Sequence, residues 1–242
     1  MFAAPEFRKV IDSSAEVFRE AVSSSIGNKI SDDLKAHLEK DIYIFSGFKT
    51  YAQLKEIALM LRDDQGNLIS YSEFEKKVLD INETYNVNYL RTEYNLAISS
   101  ALMAARWEAF ARDADQYDMQ YRTAGDEHVR ESHRKMDRIT LSFEDIFWLY
   151  FFPPNGWGCR CTVVQVRKGK YPLSDSAEAM RLGNEATEDG AEIFRFNPGK
   201  AGILFPPKHP YNNSACATCK GENPKAGDEM CAWCAAVQSY IQ

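Results

Sequence analysis

Apolar residues recur every three or four positions through most of the first 117 residues. This spacing places them on one face of an α-helix. The stripes are Phe7, Ile11, Phe18 and Val22; Leu34, Leu38 and Ile42; Tyr51, Leu54, Ala58 and Leu61; Phe74, Val78, Ile81 and Tyr85; and Leu90, Tyr94, Ile98, Leu102 and Ala105. Ser72, with Glu75 three residues later, has the spacing of a helix capping box. Residues 1–117 are therefore predicted to form a mainly helical region whose stripes face a core.

The pattern changes after residue 117, where prolines, aromatics and charges cluster. Thr162, Val163, Val164 and Val166 favour a β-strand that Gly169 ends, and residues 177–182 have a short helical pattern. The predicted fold class is α+β. It comprises a helical region at 1–117, a compact mixed domain with a small β-sheet at 118–207, and a C-terminal zinc-knuckle-like module at 208–242.

Composition restricts the class of protein. Of the 242 residues, 45% are hydrophobic and 26% charged, and the net charge is −6. This balance is that of a globular protein and does not predict wholesale attraction to nucleic acid or to anionic membranes. Every apolar run is shorter than the ~18 residues that span a bilayer, and the N-terminus lacks a secretory pattern. We therefore expect neither a membrane association nor a secretory signal.

The most specific chemical signal is a set of four cysteines near the C-terminus. Cys216, Cys219, Cys231 and Cys234 form two Cys-x2-Cys pairs separated by a polar, loop-like stretch. Two such knuckles supply the four thiolates of a closed structural zinc site. Two lysines among three acidic residues between Cys216 and the end favour a structural or protein-contacting module. A zinc-dependent nucleic-acid-binding module is the alternative, although it needs more cations.

A second candidate metal site comprises His133, Cys159 and Cys161. Residues two apart on a strand point to the same side, so the two thiols are expected to face together with Arg160 turned away. A nearby imidazole would make three zinc ligands, and water, a carboxylate or His128 would supply the fourth. Asp137, four residues after His133, is expected to orient the imidazole ring.

Residues from about 90 to 166 resemble the phage Mu F-like (MuF domain) family of minor head, or head morphogenesis, proteins. The resemblance rests on an Arg-Thr pair, an Asp-x-x-Val-Arg-x-x-His-x-x-x-Asp segment, a Phe-Trp pair and a Pro-Pro-Asn-x-Trp-x-Cys-Arg-Cys segment. These correspond to Arg122, Thr123, Asp126, Val129, Arg130, His133, Asp137, Phe147, Trp148, Pro153, Pro154, Asn155, Trp157, Cys159, Arg160 and Cys161. The chain departs from the family pattern at His128, where arginine is expected, and at Arg138, where glycine is common.

The resemblance implies a phage or prophage minor head protein without catalytic residues or enzymatic activity. Its expected partners are the portal protein and the major capsid protein, with packaged DNA as a further contact. Its expected location is the capsid interior or portal vertex, and the host cytoplasm during assembly. Zinc is the implied cofactor, the His133 cluster would clamp distant segments of chain, and Arg130 is expected to pair with Asp126.

An enzymatic alternative follows from the same resemblance, because the domain has been grouped with ADP-ribosyltransferase-like folds. Arg122 and Thr123 would then hold the phosphates or ribose of a nicotinamide dinucleotide, and Glu127 or Glu131 would assist transfer. Fold kinship alone does not establish this activity, and the sequence lacks a clear catalytic glutamate pair on a later strand.

Overall fold

The computed structural model describes residues 5–188 and 190–211. The fold is α+β, with helices in the first half and a small antiparallel sheet in the second. Four long helices come first: α1 (Pro5–Ile26), α2 (Asp32–Leu59), α3 (Tyr71–Glu83) and α4 (Leu90–Ala111), with a π-helical turn at Thr84–Tyr89 joining the last two. The predicted helical character of this region is confirmed over these ranges.

Two local predictions about the helices are wrong. Ser72 and Glu75 lie inside α3, and the helix is capped instead by Ser70, whose side chain accepts a hydrogen bond from the backbone N–H of Glu73. Ser70 and Glu73 have the same three-residue spacing as Ser72 and Glu75. The capping-box pattern therefore occurs twice, with the two copies offset by two residues. The predicted stripes at 34–42 and 51–61 belong to one helix, α2, and Leu54 and Ala58 of the second stripe are exposed.

The buried face of α4 is also rotated from the predicted one. Tyr94 and Leu102 are exposed, and the buried positions are Glu93, Leu96, Ala97, Ser100, Ala101, Met103 and Ala104. Small side chains therefore mark the packed face. Hydrophobic spacing alone favoured the larger residues on the neighbouring face.

The sheet has three antiparallel strands: β1 (Tyr117–Arg122), β2 (Thr140–Leu141) and β3 (Thr162–Arg167), in the order β2-β1-β3. Strand β3 was predicted, whereas β1 and β2 were not. Tyr121 pairs with Val163, and Arg122 pairs with Thr162. This register sets the end of β1 beside the start of β3. The segments that leave β1 and enter β3 are therefore neighbours.

Short helices complete the second half. They are α5 (Glu131–Arg134), α6 (Phe147–Phe151), α7 (Ser176–Ala186) and α8 (Pro198–Ala201), with a 3-10 turn at Glu192–Phe194. The predicted helical pattern at 177–182 lies within α7, which Asp175 caps by accepting from the N–H of Glu178. Gly183 of α7 packs so closely on Phe151 of α6 that a Cβ there would overlap with the aromatic ring.

The described residues fall into two compact units. The first contains 5–19, 40–94 and 207–211, and the second contains 20–39, 95–188 and 190–206. The second unit is built on one aromatic-rich core beneath the sheet, comprising Met103, Met119, Tyr121, Met136, Ile139, Leu141, Phe147, Trp148, Phe151, Phe152, Val163, Ala179 and Ala186. This core supports the segments that carry the candidate site.

The first unit has a buried ionic group within its apolar core. Lys49 of α2 forms an ion pair with Glu93 of α4, with 2% and 3% of their side chains exposed. Tyr211 donates to Glu93 Oε1 at 2.6 Å, and its ring stacks on that of Tyr85 at 5.7 Å. Burial lowers the pKa of Lys49 despite the neighbouring carboxylate of Glu93. The C-terminal described residues are thus fixed to the helices of this unit.

Across the described ranges, none of the helices combines the length and the apolar character required to cross a bilayer.

Candidate metal centre

His133, Cys159 and Cys161 converge in the second unit, as the sequence predicted. His133 Nδ1 lies 3.7 Å from Cys159 Sγ and 3.6 Å from Cys161 Sγ. The three ligand atoms lie within 4.8 Å of one another. Both thiols are free cysteines. The cluster joins residues 26 and 28 positions apart in the chain.

Backbone geometry explains why the two thiols face together. Cys159 and Cys161 lie just before β3, which begins at Thr162, so they occupy extended chain rather than the strand itself. Extended chain keeps the alternation of side chains, and Arg160 accordingly points outward with half of its side chain exposed. Gly158, with a φ of +66°, makes the tight turn before the first thiol.

The imidazole lies in the segment that follows β1, the strand that pairs with β3. Strand β1 ends at Arg122 opposite the start of β3, and the chain then passes through residues 123–130 into α5. His133 lies in this short helix and is buried. Because β1 and β3 are paired neighbours, one loop brings the imidazole back over the two thiols.

The distances fit a tetrahedral metal ion. Zinc bonds of about 2.3 Å to sulfur and about 2.0 Å to nitrogen, at tetrahedral angles, separate sulfur from nitrogen by roughly 3.6 Å. The observed separations of 3.7 Å and 3.6 Å match this edge length. Two thiolates and one imidazole form a donor set that zinc prefers.

The polar chemistry of His133 also fits a metal. The residue is 2% exposed, and its Nδ1 meets only the two sulfurs. Its Nε2 is buried without a hydrogen-bond partner among the described residues. Thiols are weak hydrogen-bonding groups, and burial of an unsatisfied polar atom costs about 1–3 kcal/mol. A metal bond at Nδ1 would replace its weak contacts with the two sulfurs, although it would leave Nε2 unpaired within the described ranges.

The two thiols titrate as a pair. A hydrogen bond from Cys161 lowers the pKa of Cys159 well below its usual value, and His133 and a backbone hydrogen bond from Asn155 act in the same direction. The pKa of Cys161 is raised, chiefly by its hydrogen bond to Cys159 and by burial. The pair therefore loses its first proton readily and holds the second. A bound cation would favour the loss of both, because metal ligation requires thiolates.

An ion pair next to the cluster fixes the loop that precedes α5. Arg160 donates to both carboxylate oxygens of Asp126, at 2.6 Å and 2.7 Å. The predicted pairing of Asp126 with Arg130 is therefore wrong. Arg130 instead donates to the backbone carbonyl of Trp157 at 2.6 Å, and its guanidinium packs on Gly156. Both contacts tie residues 126–130 to the turn that carries the thiols.

The predicted role of Asp137 in orienting His133 is wrong. Asp137 Oδ1 accepts hydrogen bonds from the backbone N–H and the hydroxyl of Thr123, at 2.9 Å and 3.2 Å. The side chain therefore braces the exit from β1, and among the described residues no hydrogen bond joins it to the imidazole of His133. Thr123, which the enzymatic alternative used for dinucleotide binding, is held by this contact.

Sequence reasoning missed the role of Tyr121. This fully buried residue donates to Asn155 Oδ1 at 2.9 Å, and burial together with the adjacent cysteines raises the pKa of its hydroxyl. The contact joins β1 to the Pro-Pro-Asn turn. The available signal was a tyrosine next to Arg122 and an asparagine in a turn of otherwise apolar and glycine residues.

The remaining candidate residues are not part of the three-residue cluster. His128 lines the same pocket as His133, Cys159 and Cys161, although its side chain is 76% exposed. Glu127 and Glu131 are exposed as well. The predicted zinc ligands Cys216, Cys219, Cys231 and Cys234 lie outside the described residues, and that site stays a prediction.

Comparison with known proteins shows a similarity to one phage protein family. The family described as Phage Mu protein F like protein matches residues 63–164, a range that includes the whole cluster. The "Putative capsid assembly protein F" of Escherichia phage Mu is 37% identical over 75 residues, which are 31% of this chain and 17% of that protein.

A second relative extends the similarity. The "Mu-like prophage FluMu F protein" of Haemophilus influenzae is 31% identical over 99 residues, covering 38% of this chain and 24% of the relative. The similarity thus spans a quarter or less of either relative's length. No solved structure matches the chain. Residues 63–164 of this chain are thus similar to the phage Mu protein F like family, and both relatives carry names of F proteins of Mu or Mu-like phages.

Proposed function

We propose that this chain is a head morphogenesis protein of a tailed phage or prophage, with a structural role in capsid assembly. The observation that carries the proposal is the family match over residues 63–164, together with a relative described as a capsid assembly protein. In this role the chain is a minor virion component at the portal vertex or in the capsid interior. It contacts portal and major capsid proteins and acts in DNA packaging or delivery.

The geometry supports a structural rather than a catalytic site. His133 and Cys159 are buried, and Asp126 of the neighbouring loop is paired with Arg160 through both carboxylate oxygens. In the proposed role, zinc held by His133, Cys159 and Cys161 cross-links the segment after β1 to the segment before β3. Such a cross-link stabilises the ligand-bearing segments without turnover of a substrate.

The test uses the phage or prophage that encodes the chain. An epitope-tagged copy is expected to co-purify with portal and major capsid proteins and to remain in purified heads. A Cys159→Ser/Cys161→Ser variant is expected to be incorporated into heads at a lower level. The control is a Tyr171→Ser surface variant, which keeps both cysteines and should be incorporated as the native chain is. Heads that form normally without the chain, and that never contain it, would contradict the proposal.

A parallel assay addresses the enzymatic alternative. The purified chain is incubated with NAD and release of nicotinamide is followed, with Arg122→Ala as the matched variant. A structural protein gives the same background for both chains. Turnover by the native chain that Arg122→Ala abolishes would replace the structural assignment with an ADP-ribosyltransferase-like one.

A further inference from the structure

We infer that His128 is the fourth ligand of the metal centre and closes it as a Cys2His2 site. The inference rests on the zinc site of the proposed function and adds a residue to it. Three ligand atoms leave one vertex of a tetrahedron open. All three ligand residues line one pocket, and we place the open vertex there.

The composition of this pocket selects the ligand. Its other lining residues are Ala124, His128, Val129, Arg130, Gly158 and Arg160. Alanine, valine and glycine have no ligating side chain, and guanidinium groups are cations without a lone pair to donate. Among the lining residues outside the cluster, His128 therefore has the one side chain that can bind a metal.

The loop that carries His128 is fixed to the ligand segment. Asp126 Oδ1 accepts the backbone N–H of His128 at 3.1 Å, and the same carboxylate holds Arg160, which lies between the two cysteines. One carboxylate thus connects the backbone of His128 to the side chain of Arg160, the residue between the two cysteines. This arrangement positions a loop residue relative to the metal, as outer-shell contacts do in metal sites.

The side chain of His128 is available for this role. It is 76% exposed, and its contact is a 3.8 Å approach of Nε2 to Glu127 Oε1 at the protein surface. This distance exceeds that of a hydrogen bond, so rotation about the side-chain bonds breaks no strong interaction. On metal binding, the imidazole turns from solvent into the pocket while the backbone, held by Asp126, stays in place.

A closed four-ligand site has a chemical consequence. With His128 bound, the metal has no open position for water or substrate, which is the arrangement of structural rather than catalytic zinc. The fourth ligand also joins the loop at 124–130 to the metal directly. This link adds to the contacts by which Asp126 and Arg130 already hold the loop.

X-ray absorption at the zinc edge tests the inference. The full-length chain is used with its four tail cysteines replaced by serine, so that zinc at the core site alone contributes. The native core is expected to show two sulfur and two imidazole ligands. His128→Ala is expected to show one imidazole and one water oxygen, with the apparent zinc Kd raised roughly 10–100-fold, as for the loss of a positioning contact.

His37→Ala is the matched control, because His37 is also an exposed histidine of the second unit. Its ligand set and zinc affinity should equal those of the native core. One imidazole in the native core, unchanged by His128→Ala, would overturn the inference while leaving the zinc site of the proposed function intact. Absence of bound zinc in the tail-substituted chain would overturn both. Circular dichroism confirms that each variant is folded.

Discussion

Arg138 occupies a backbone conformation that glycine adopts more easily. Its φ is +67°, and the residue lies in the tight connection to β2, where its N–H donates to the carbonyl of Tyr121. A residue with a Cβ in the left-handed region is strained by about 1 kcal/mol. The left-handed backbone gives a physical reason for the expectation of glycine at this position.

We therefore predict that Arg138→Gly stabilises the protein. The expected gain is about 0.5–1 kcal/mol, because relief of the left-handed strain exceeds the entropy that glycine adds to the unfolded chain. The solvent-exposed approach of Arg138 to Asp137 at 3.7 Å contributes little. Urea unfolding measures the change. Arg138→Ala separates the two effects, since it removes the charge and keeps the strain, and an equal gain in both variants would contradict the explanation.

Residue spacing revealed the members of the candidate cluster but not the contacts that hold them. Cys159 and Cys161 were predictable because alternation in extended chain depends on local geometry alone. The pairing of Asp126 with Arg160 was not predictable, because residues 121–133 contain several charges of each sign. Only the register of β1 with β3 brings Arg160, rather than Arg130, to the carboxylate.

Helices α2 and α4 are joined by a buried ion pair that hydrophobic spacing did not reveal. Lys49 and Glu93 are both buried, and Glu93 also accepts a hydrogen bond from Tyr211. A buried pair contributes little net stability compared with apolar residues, but removal of one partner leaves an uncompensated charge.

We predict strong coupling between these two residues. Lys49→Met should lower the free energy of unfolding by about 3–5 kcal/mol, because it leaves the Glu93 carboxylate buried without its cation. The double variant Lys49→Met/Glu93→Gln should recover much of this loss, since the amide is neutral and still accepts from Tyr211. Denaturant unfolding of the four proteins of the cycle measures the coupling. Additive effects would show that the pair is not energetically linked.

The C-terminal described segment gives the first unit a pH dependence. His209 is buried against Phe45 and Tyr211, with ring centroids at 5.0 Å and 4.4 Å. Burial, with a smaller contribution from the charge of Lys49, lowers the pKa of His209 to about 4 from 6.5. The folded state therefore holds this imidazole neutral at pH values where the unfolded chain binds a proton.

The sign of the effect follows from that difference. Above pH 6.5 His209 is neutral in both the folded and the unfolded state, and its full contribution to the free energy of unfolding is present. As the pH falls from 6.5 toward 4, the unfolded state binds a proton first, and the free energy of unfolding therefore declines. The expected loss is about 3 kcal/mol over this range. Urea unfolding of His209→Gln between pH 7 and pH 4 should show a smaller decline than the native chain. His37→Gln should keep the native dependence, and an unchanged slope in His209→Gln would contradict the prediction.

At the level of elements, the sequence predicted what is local and missed what depends on packing. Helices α1 to α4 and strand β3 follow from periodicity. Strand β1 was not predicted, because its buried positions do not alternate with exposed ones. All four of its central residues are buried, including the polar Asp118 and Gln120. Gln120 is accommodated through a hydrogen bond to Thr140 at 2.8 Å, a partner that only the folded sheet provides.

At the level of the whole molecule, the two main groups of buried titratable residues lie in different units. The cluster of His133, Cys159 and Cys161 lies entirely in the second unit, whereas Lys49, Glu93 and His209 lie in the first. Both regions are buried groups of titratable residues, but only the first carries its own compensating ion pair. In the proposed role, a bound zinc ion would compensate the thiolates of the second group.

We therefore predict that removal of zinc destabilises the two units unequally. A chelator should leave His133 and the two thiols as weakly satisfied polar groups, and the amides of β3 and α5 should exchange with solvent faster because the link between their segments is lost. Amides of α3, in the first unit, should keep their exchange rates. The measurement is hydrogen exchange followed by mass spectrometry, with and without chelator.

Matched variants isolate the core site in this experiment. A chain with Cys216, Cys219, Cys231 and Cys234 replaced by serine should respond to the chelator as the native chain does in β3 and α5. A Cys159→Ser/Cys161→Ser chain should exchange quickly in these elements before chelator is added and show no further change. Equal acceleration of α3 and β3 in the native chain would mean that zinc stabilises the molecule as a whole, because a cross-link confined to the second unit protects only the segments that it joins.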